Sequence, residues 1–265
     1  MDLLTSLAEQ FNLYLLVVIR ISGIIAGTPI FGARNVPAVM KVGLVLLTSL
    51  FMQPVATVQA DISAMGLAEL ALFIANELLI GLAMGFILSL AFMFVQVAGQ
   101  LMDVPMGFSM VNVLDPLLGQ QVPILGQFQY AISVIVFLSI NGHHLILKAL
   151  ADSFALIPLG GWSYWPGLTE IISKAFTLAF TLGLQIALPV VAVLLIVDIS
   201  LGLIARTVPQ MNVFILGFPL KIIIGLVFVM LLLPMYVIFM ENVFSPSSKL
   251  FEYLRAVLGG NHIGA

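Results

Sequence analysis

Residues 78–102 read LLIGLAMGFILSLAFMFVQVAGQLM, an uncharged run held between Glu77 and Asp103. As a helix rising 1.5 Å per residue it is longer than the roughly 30 Å core of a bilayer. The next residues, 103–126, read DVPMGFSMVNVLDPLLGQQVPILG. They stay apolar, but Pro105, Gly107, Pro116, Gly119, Pro123 and Gly126 make a continuous helix improbable. In lipid, irregular backbone leaves N–H and C=O groups unpaired. It is tolerated only where protein buries it or where it lines a water-filled cavity. An apolar connection of about 20 residues is also uncommon and often functional. This segment is therefore expected inside a larger assembly or against a pore. The plainer alternative is a loop packed over the protein's own helices. Methionines at 102, 106 and 110 suit a deformable seal, because the unbranched side chain repacks easily.

Working outward, the whole chain shares this character. Of 265 residues, 62% are apolar and 8% charged, against about 45–50% and about 25% for soluble domains. Nine basic and 12 acidic residues cannot cover a soluble surface of this size, and they exclude disorder, which needs high charge. The net charge of −3 without a basic block argues against nucleic acid as a partner. With no cysteine there is no disulfide framework and no thiolate site. A membrane protein is the class that remains. The start, Met1-Asp2-Leu3-Leu4, is acidic and leads into no small-residue cleavage site, so the first hydrophobic segment is expected to be kept.

Six hydrophobic segments are expected, at about 11–31, 39–58, 70–101, 124–150, 172–205 and 213–243. The third and fifth are too long for one straight crossing, and Pro189 is a candidate kink in the fifth. With six spans, one side would carry Lys148, Lys174, Lys249 and Arg255. The other would carry Arg34, Lys41 and Arg206, with Lys221 if counted generously. The positive-inside rule thus returns no orientation. The tail from Ser245 reads as an amphipathic surface helix over Leu250–Leu258 followed by a frayed end.

Arg20, Glu77 and Asp198 lie within or at the edge of apolar segments. Charges at membrane depth point by default to a proton or ion path. The competing reading pairs them between packed helices, and a proton path would want more carboxylates than these. With Arg206 they are candidate inter-helix polar contacts; whether Asp198 and Arg206 pair is open. Gly23/Gly27 and Gly81/Gly85 have the spacing of close helix packing. His143 and His144 point about 100° apart on a helix and cannot share a metal as an i, i+4 pair can, so they read as a helix-end or turn pair. No nucleotide, zinc-protease or nucleophile-elbow motif is present, so neither catalysis nor a cofactor is expected.

Several segments together, in order, resemble a known family. They are Val36-Pro37 with Lys41-Val42-Gly43-Leu44 and Gln53-Pro54, then Glu77–Phe86, then Ala98–Met102 with Met106-Gly107-Phe108-Ser109 and Asp115-Pro116. Asn141-Gly142-His143-His144 and Ile157-Pro158-Leu159-Gly160 follow. The strongest block is Leu201–Arg206, Pro209–Phe214 and Gly217–Lys221. Over about residues 10–245 the chain is similar to the FliR/SctT family of type III export gates, and Asn-Gly-His-His favours the flagellar branch over the injectisome one. The resemblance implies an all-α membrane subunit of the flagellar export gate in the bacterial inner membrane, within the basal body. It implies a FliP-like part over about 1–165, a FliQ-like helical hairpin over about 166–245 and a tail over 246–265. It also implies five FliP-type and four FliQ-type partners, a FlhB-type partner, and unfolded export substrates passing through the centre. The family's plug loop maps to about Met106–Gln121, with Met106, Phe108, Met110, Val111, Leu114 and Leu117 as pore plug residues. Where the family often has a second phenylalanine, Val111 or Val113 stands here. The competing reading is a stand-alone secondary transporter using Arg20, Glu77 and Asp198 at membrane depth.

Overall fold

The computed structural model describes residues 2–33, 35–58, 66–108, 123–160, 168–210 and 212–257. Their helices are α1 (Asp2–Gly27), α2 (Ala38–Met52), a 3-10 turn (Gln53–Val55), α3 (Leu67–Met106), α4 (Ile124–Ser139), α5 (Gly142–Leu156), α6 (Leu168–Thr207), α7 (Val213–Val243) and α8 (Lys249–Val257). The fold is all-α; among the described residues the one extended pairing is an isolated parallel bridge between Val58 and Leu159. Five helices are long and apolar enough to cross a membrane, or up to six if the bent pair α4–α5 is one span.

Three expectations are refined. The apolar segment 124–150 is two helices, α4 and α5, with a break between them, rather than one. The break falls at Asn141, whose φ of 58° is left-handed; asparagine visits that region far more readily than β-branched residues do. Histidines 143 and 144 accordingly occupy the first turn of α5, their rings 4.3 Å apart. The long segments are unbroken helices of 40 residues each, α3 and α6, and α6 runs through Pro189. The tail helix α8 is described from Lys249 to Val257 and buries Leu250, Phe251, Leu254 and Val257 on one face; residue 258 lies outside the described residues.

The described chain divides into two compact units that interleave in sequence. The first comprises Met1–Leu90, Asn141–Ala175 and Phe244–Ala265. Its centre is an ion pair with no exposed surface, Arg20 Nε to Glu77 Oε2 at 2.6 Å. Arg20 Nη1 donates to the carbonyls of Ser153 (3.1 Å) and Ile157 (2.9 Å), at the end of α5. The Ile157 carbonyl lies just past the last turn of α5, the Ser153 carbonyl also accepts the Ile157 N–H at 3.0 Å, and a cation there meets the negative end of the helix dipole. The backbone N–H of Gly160 donates to Glu77 Oε1 at 3.1 Å. The guanidinium lies 4.7 Å from the centre of the Phe154 ring, in cation–π range. Two charges thus order the loop after α5, and Leu159 N–H adds a bond to the Thr57 carbonyl at 2.8 Å.

The glycine pairs explain how the two charges reach each other. A Cβ on Gly23 would lie 2.9 Å from the Gly81 carbonyl carbon, and one on Gly27 would lie 2.7 Å from Gly85 Cα. Steps 20, 23, 27 on α1 therefore match steps 77, 81, 85 on α3, so the two helices run parallel in backbone contact. Each glycine pair is the other's partner, which the spacing alone did not show.

The second unit comprises Ala91–Ile140 and Phe176–Val243. Its core gathers Ala98, Met102, Met106, Leu125, Ala187, Val190, Leu194 and Val229. Phe92 packs edge-on against Phe137 and Tyr130, and Phe94 against Phe239. Tyr236 on α7 shares a 2.7 Å hydrogen bond with Ser133 on α4 and donates to the Gln129 carbonyl at 3.0 Å.

Removing one member of a buried ion pair strands the other charge, at a cost of about 3–5 kcal/mol, whereas an apolar pair of similar volume is often neutral or better. Glu77→Gln and Arg20→Met should each strongly lower the thermal midpoint of the purified protein. The double variant Arg20→Met/Glu77→Leu should recover most of that loss. A double variant as unstable as either single one would show that the charges do more than satisfy each other.

Candidate functional site

The site of interest is the corner of the second unit where α3 ends and α4 begins. Helix α3 stops at a glycine in the left-handed region: Gly107 has φ +90°. Phe108 N–H donates to the Asp103 carbonyl (3.2 Å) and Gly107 N–H to the Val104 carbonyl (3.1 Å). This pair of bonds, with a left-handed glycine after the last helical residue, is the Schellman ending. Its usual apolar contact is present too, since Phe108 packs against the cluster that contains Met102. Pro105 lies inside the last turn of α3, so the helix extends past the boundary expected at about 101.

Helix α4 opens with Pro123 at its cap position and no side-chain cap of its own. The missing acceptor comes from α3: Asp103 Oδ1 receives the Leu125 N–H at 3.2 Å. A carboxylate there also faces the positive end of the α4 dipole. A Cβ on Gly99 would run into the backbone of Gly126, so the two helices touch main chain to main chain beside this bond. Asp103 thus serves both helix ends, its carbonyl closing α3 and its side chain opening α4.

Helix α7 closes the corner from another direction. A Cβ on Gly107 would lie 2.6 Å from the Phe218 ring, and one on Gly225 would lie 2.5 Å from the end of the Met106 side chain. Of the plug candidates, Met106 is fully buried in this cluster and Phe108 is half-buried against it. Met110, Val111, Leu114 and Leu117 lie outside the described residues. Of the charged candidates, Arg20 and Glu77 meet in the first unit. In the second, Asp198 on α6 pairs with Lys221 on α7, and among the described residues it makes no ion pair with Arg206. Three further participants escaped the sequence reading: Asp103, Lys221 as a partner, and the pair Gly99/Gly126. Asp103 carried a signal, as a lone carboxylate four residues before a glycine in an apolar run. No group of three or more metal-ligating side chains occurs among the described residues.

A family model described as "Bacterial export proteins, family 1" matches residues 11–247. The chain belongs to this family. It is 38% identical over 263 residues to the flagellar biosynthetic protein FliR of Bacillus subtilis (strain 168), covering 97% of this chain and 99% of that protein. It is 32% identical over 247 residues to the FliR of Escherichia coli (strain K12), covering 93% of each. The FliR of Aquifex aeolicus (strain VF5) is 31% identical over 254 residues, covering 96% of this chain and 97% of that one. The match takes in both helices of the corner and the segment between them.

Gly107→Ala should lower the thermal midpoint on two counts, the left-handed φ and the Phe218 ring. Adding Phe218→Ala removes the second count only. Full recovery in the double variant would mean that the left-handed turn is not a constraint.

Proposed function

We propose that this chain is a membrane subunit of the flagellar protein export apparatus in the bacterial inner membrane. In this reading it joins FliP-type and FliQ-type subunits, five and four by the resemblance, and a FlhB-type partner. Together they form the channel through which unfolded flagellar proteins leave the cytoplasm. The FliP-like part runs to about 165, and α6 and α7 make the FliQ-like hairpin. The observation that carries the reading is an apolar segment, unsuited to lipid as irregular backbone, whose two ends are pinned at one packed corner in a member of an export-protein family. Its role is passage without chemistry. An apolar constriction dewets and blocks ions when empty, and Met and Phe side chains repack around an extended chain of any sequence.

The outer faces suit this role. On α2, Val39, Met40, Leu47, Leu50 and Phe51 are exposed, and α6 and α7 are only 22% and 17% buried over their most apolar windows. Such surfaces require lipid or partner subunits. The transporter reading is weakened by the first unit. Arg20 and Glu77 are fully buried and paired with each other and with the backbone, which leaves neither exposed to a solute.

Native mass spectrometry of the tagged chain, coexpressed with its FliP- and FliQ-type neighbours, tests the assembly. One large complex holding a single copy is expected, and a lone monomer or small homo-oligomer would overturn the reading. Deleting Ser109–Gly119 should leave that complex intact and make the membrane leak ions. Unchanged conductance in the verified complex would remove the plug assignment. Because the chain has no cysteine, Phe108→Cys and Met110→Cys probed with a water-soluble thiol reagent report cleanly on pore exposure.

A further inference from the structure

Asp103 is 5% exposed, one of its carboxylate oxygens holds the Leu125 N–H, and the other has no hydrogen-bond partner among the described residues. A buried carboxylate with an unsatisfied oxygen is a costly way to cap a helix. A serine, threonine, asparagine or aspartate at position 123 would cap α4 locally, yet that position is Pro123. A local cap would stabilise α4 and nothing else. A cap supplied from α3, 22 residues earlier in the chain, stabilises α4 only while the two helix ends stay together. The backbone contact of Gly99 with Gly126 and the left-handed turn at Gly107 act on the same joint.

We propose that Asp103 is a positioning residue of the gate. It holds the end of α3 and the start of α4 as a fixed neck, and tight closure of the resting gate depends on the Asp103–Leu125 hydrogen bond. This rests on the gate reading above. The bond needs an acceptor and no charge. Asparagine keeps an Oδ1 acceptor and places an amide where Oδ2 has no partner, whereas alanine leaves the Leu125 N–H without one. Gly99→Ala pries the neck apart from the other side without touching Asp103, because its methyl would meet the Gly126 backbone.

The test uses the full coexpressed complex, verified by native mass spectrometry, with ion leak across the membrane as the readout. Asp103→Ala and Gly99→Ala should each raise leak about tenfold, the shift expected from losing one helix-capping hydrogen bond in the closed state. Asp103→Asn should match the wild type. Wild-type leak in assembled Asp103→Ala and Gly99→Ala complexes, while the Ser109–Gly119 deletion leaks, overturns the neck and leaves the gate standing. A deletion that does not leak overturns both. Leak in Asp103→Asn equal to that in Asp103→Ala also overturns the hydrogen bond as cause. Should Asp103→Ala fail to assemble, Gly99→Ala and Asp103→Asn decide between the same outcomes.

Discussion

An arginine and a glutamate with no exposed surface cannot stand apart in an apolar chain, and the first unit is built around that constraint. Arg20 and Glu77 pair with each other, Arg20 Nη1 donates to two carbonyls at the end of α5, Glu77 accepts one N–H from the loop beyond it, and Arg20 Nη2 has no hydrogen-bond partner among the described residues. Breaking the pair would leave a buried charge uncompensated. The pair is reachable only because Gly23, Gly27, Gly81 and Gly85 let α1 and α3 approach main chain to main chain. A methyl group at any of these positions would run into the backbone of the facing helix and work against this approach. Charge and glycine are therefore one device, the first supplying the specificity and the second the distance.

The second unit applies the same logic at a helix corner. Its buried polar groups sit where helices end or meet: Asp103 at the α3–α4 corner, Ser133 and Tyr236 between α4 and α7. Around them the packing is apolar, with Met102 and Met106 in the core, Met106 filling space that Gly225 leaves open and Phe218 filling that at Gly107. In the proposed gate, specific polar anchors surrounded by adaptable packing would suit a segment that keeps its ends in place while its surroundings accommodate a chain of changing sequence.

Much of the fold was legible because it depends on local properties. Lengths of apolar runs fixed the helices, and the ends of α3 and α4 fell within a few residues of where prolines and glycines placed them. The bend at Asn141 was missed because Ile140-Asn141-Gly142 interrupts neither the apolar run nor its lack of charge; the signal was a left-handed-tolerant pair inside a single hydropathy segment. Pro189 does not end α6, since a proline in a long helix removes one backbone bond without breaking the helix when its surroundings hold both sides. Asp198 was considered with Arg206 because both lie near the end of α6, but its partner Lys221 comes from the next helix.

By itself the sequence determined the class, the apolar segments and, to within a few residues, where α3 ends and α4 begins. Hydrophobic length and backbone stiffness act within a few residues, so a single chain displays them. Only the tertiary structure decided the pairings: Arg20 with Glu77 across 57 residues, one glycine pair with the other, and Asp103 with the start of α4. Those depend on which faces meet and at what distance. That is settled by the packing of the whole unit, where an unpaired buried charge or a missing helix cap is costly enough to select one register among many of similar hydrophobicity.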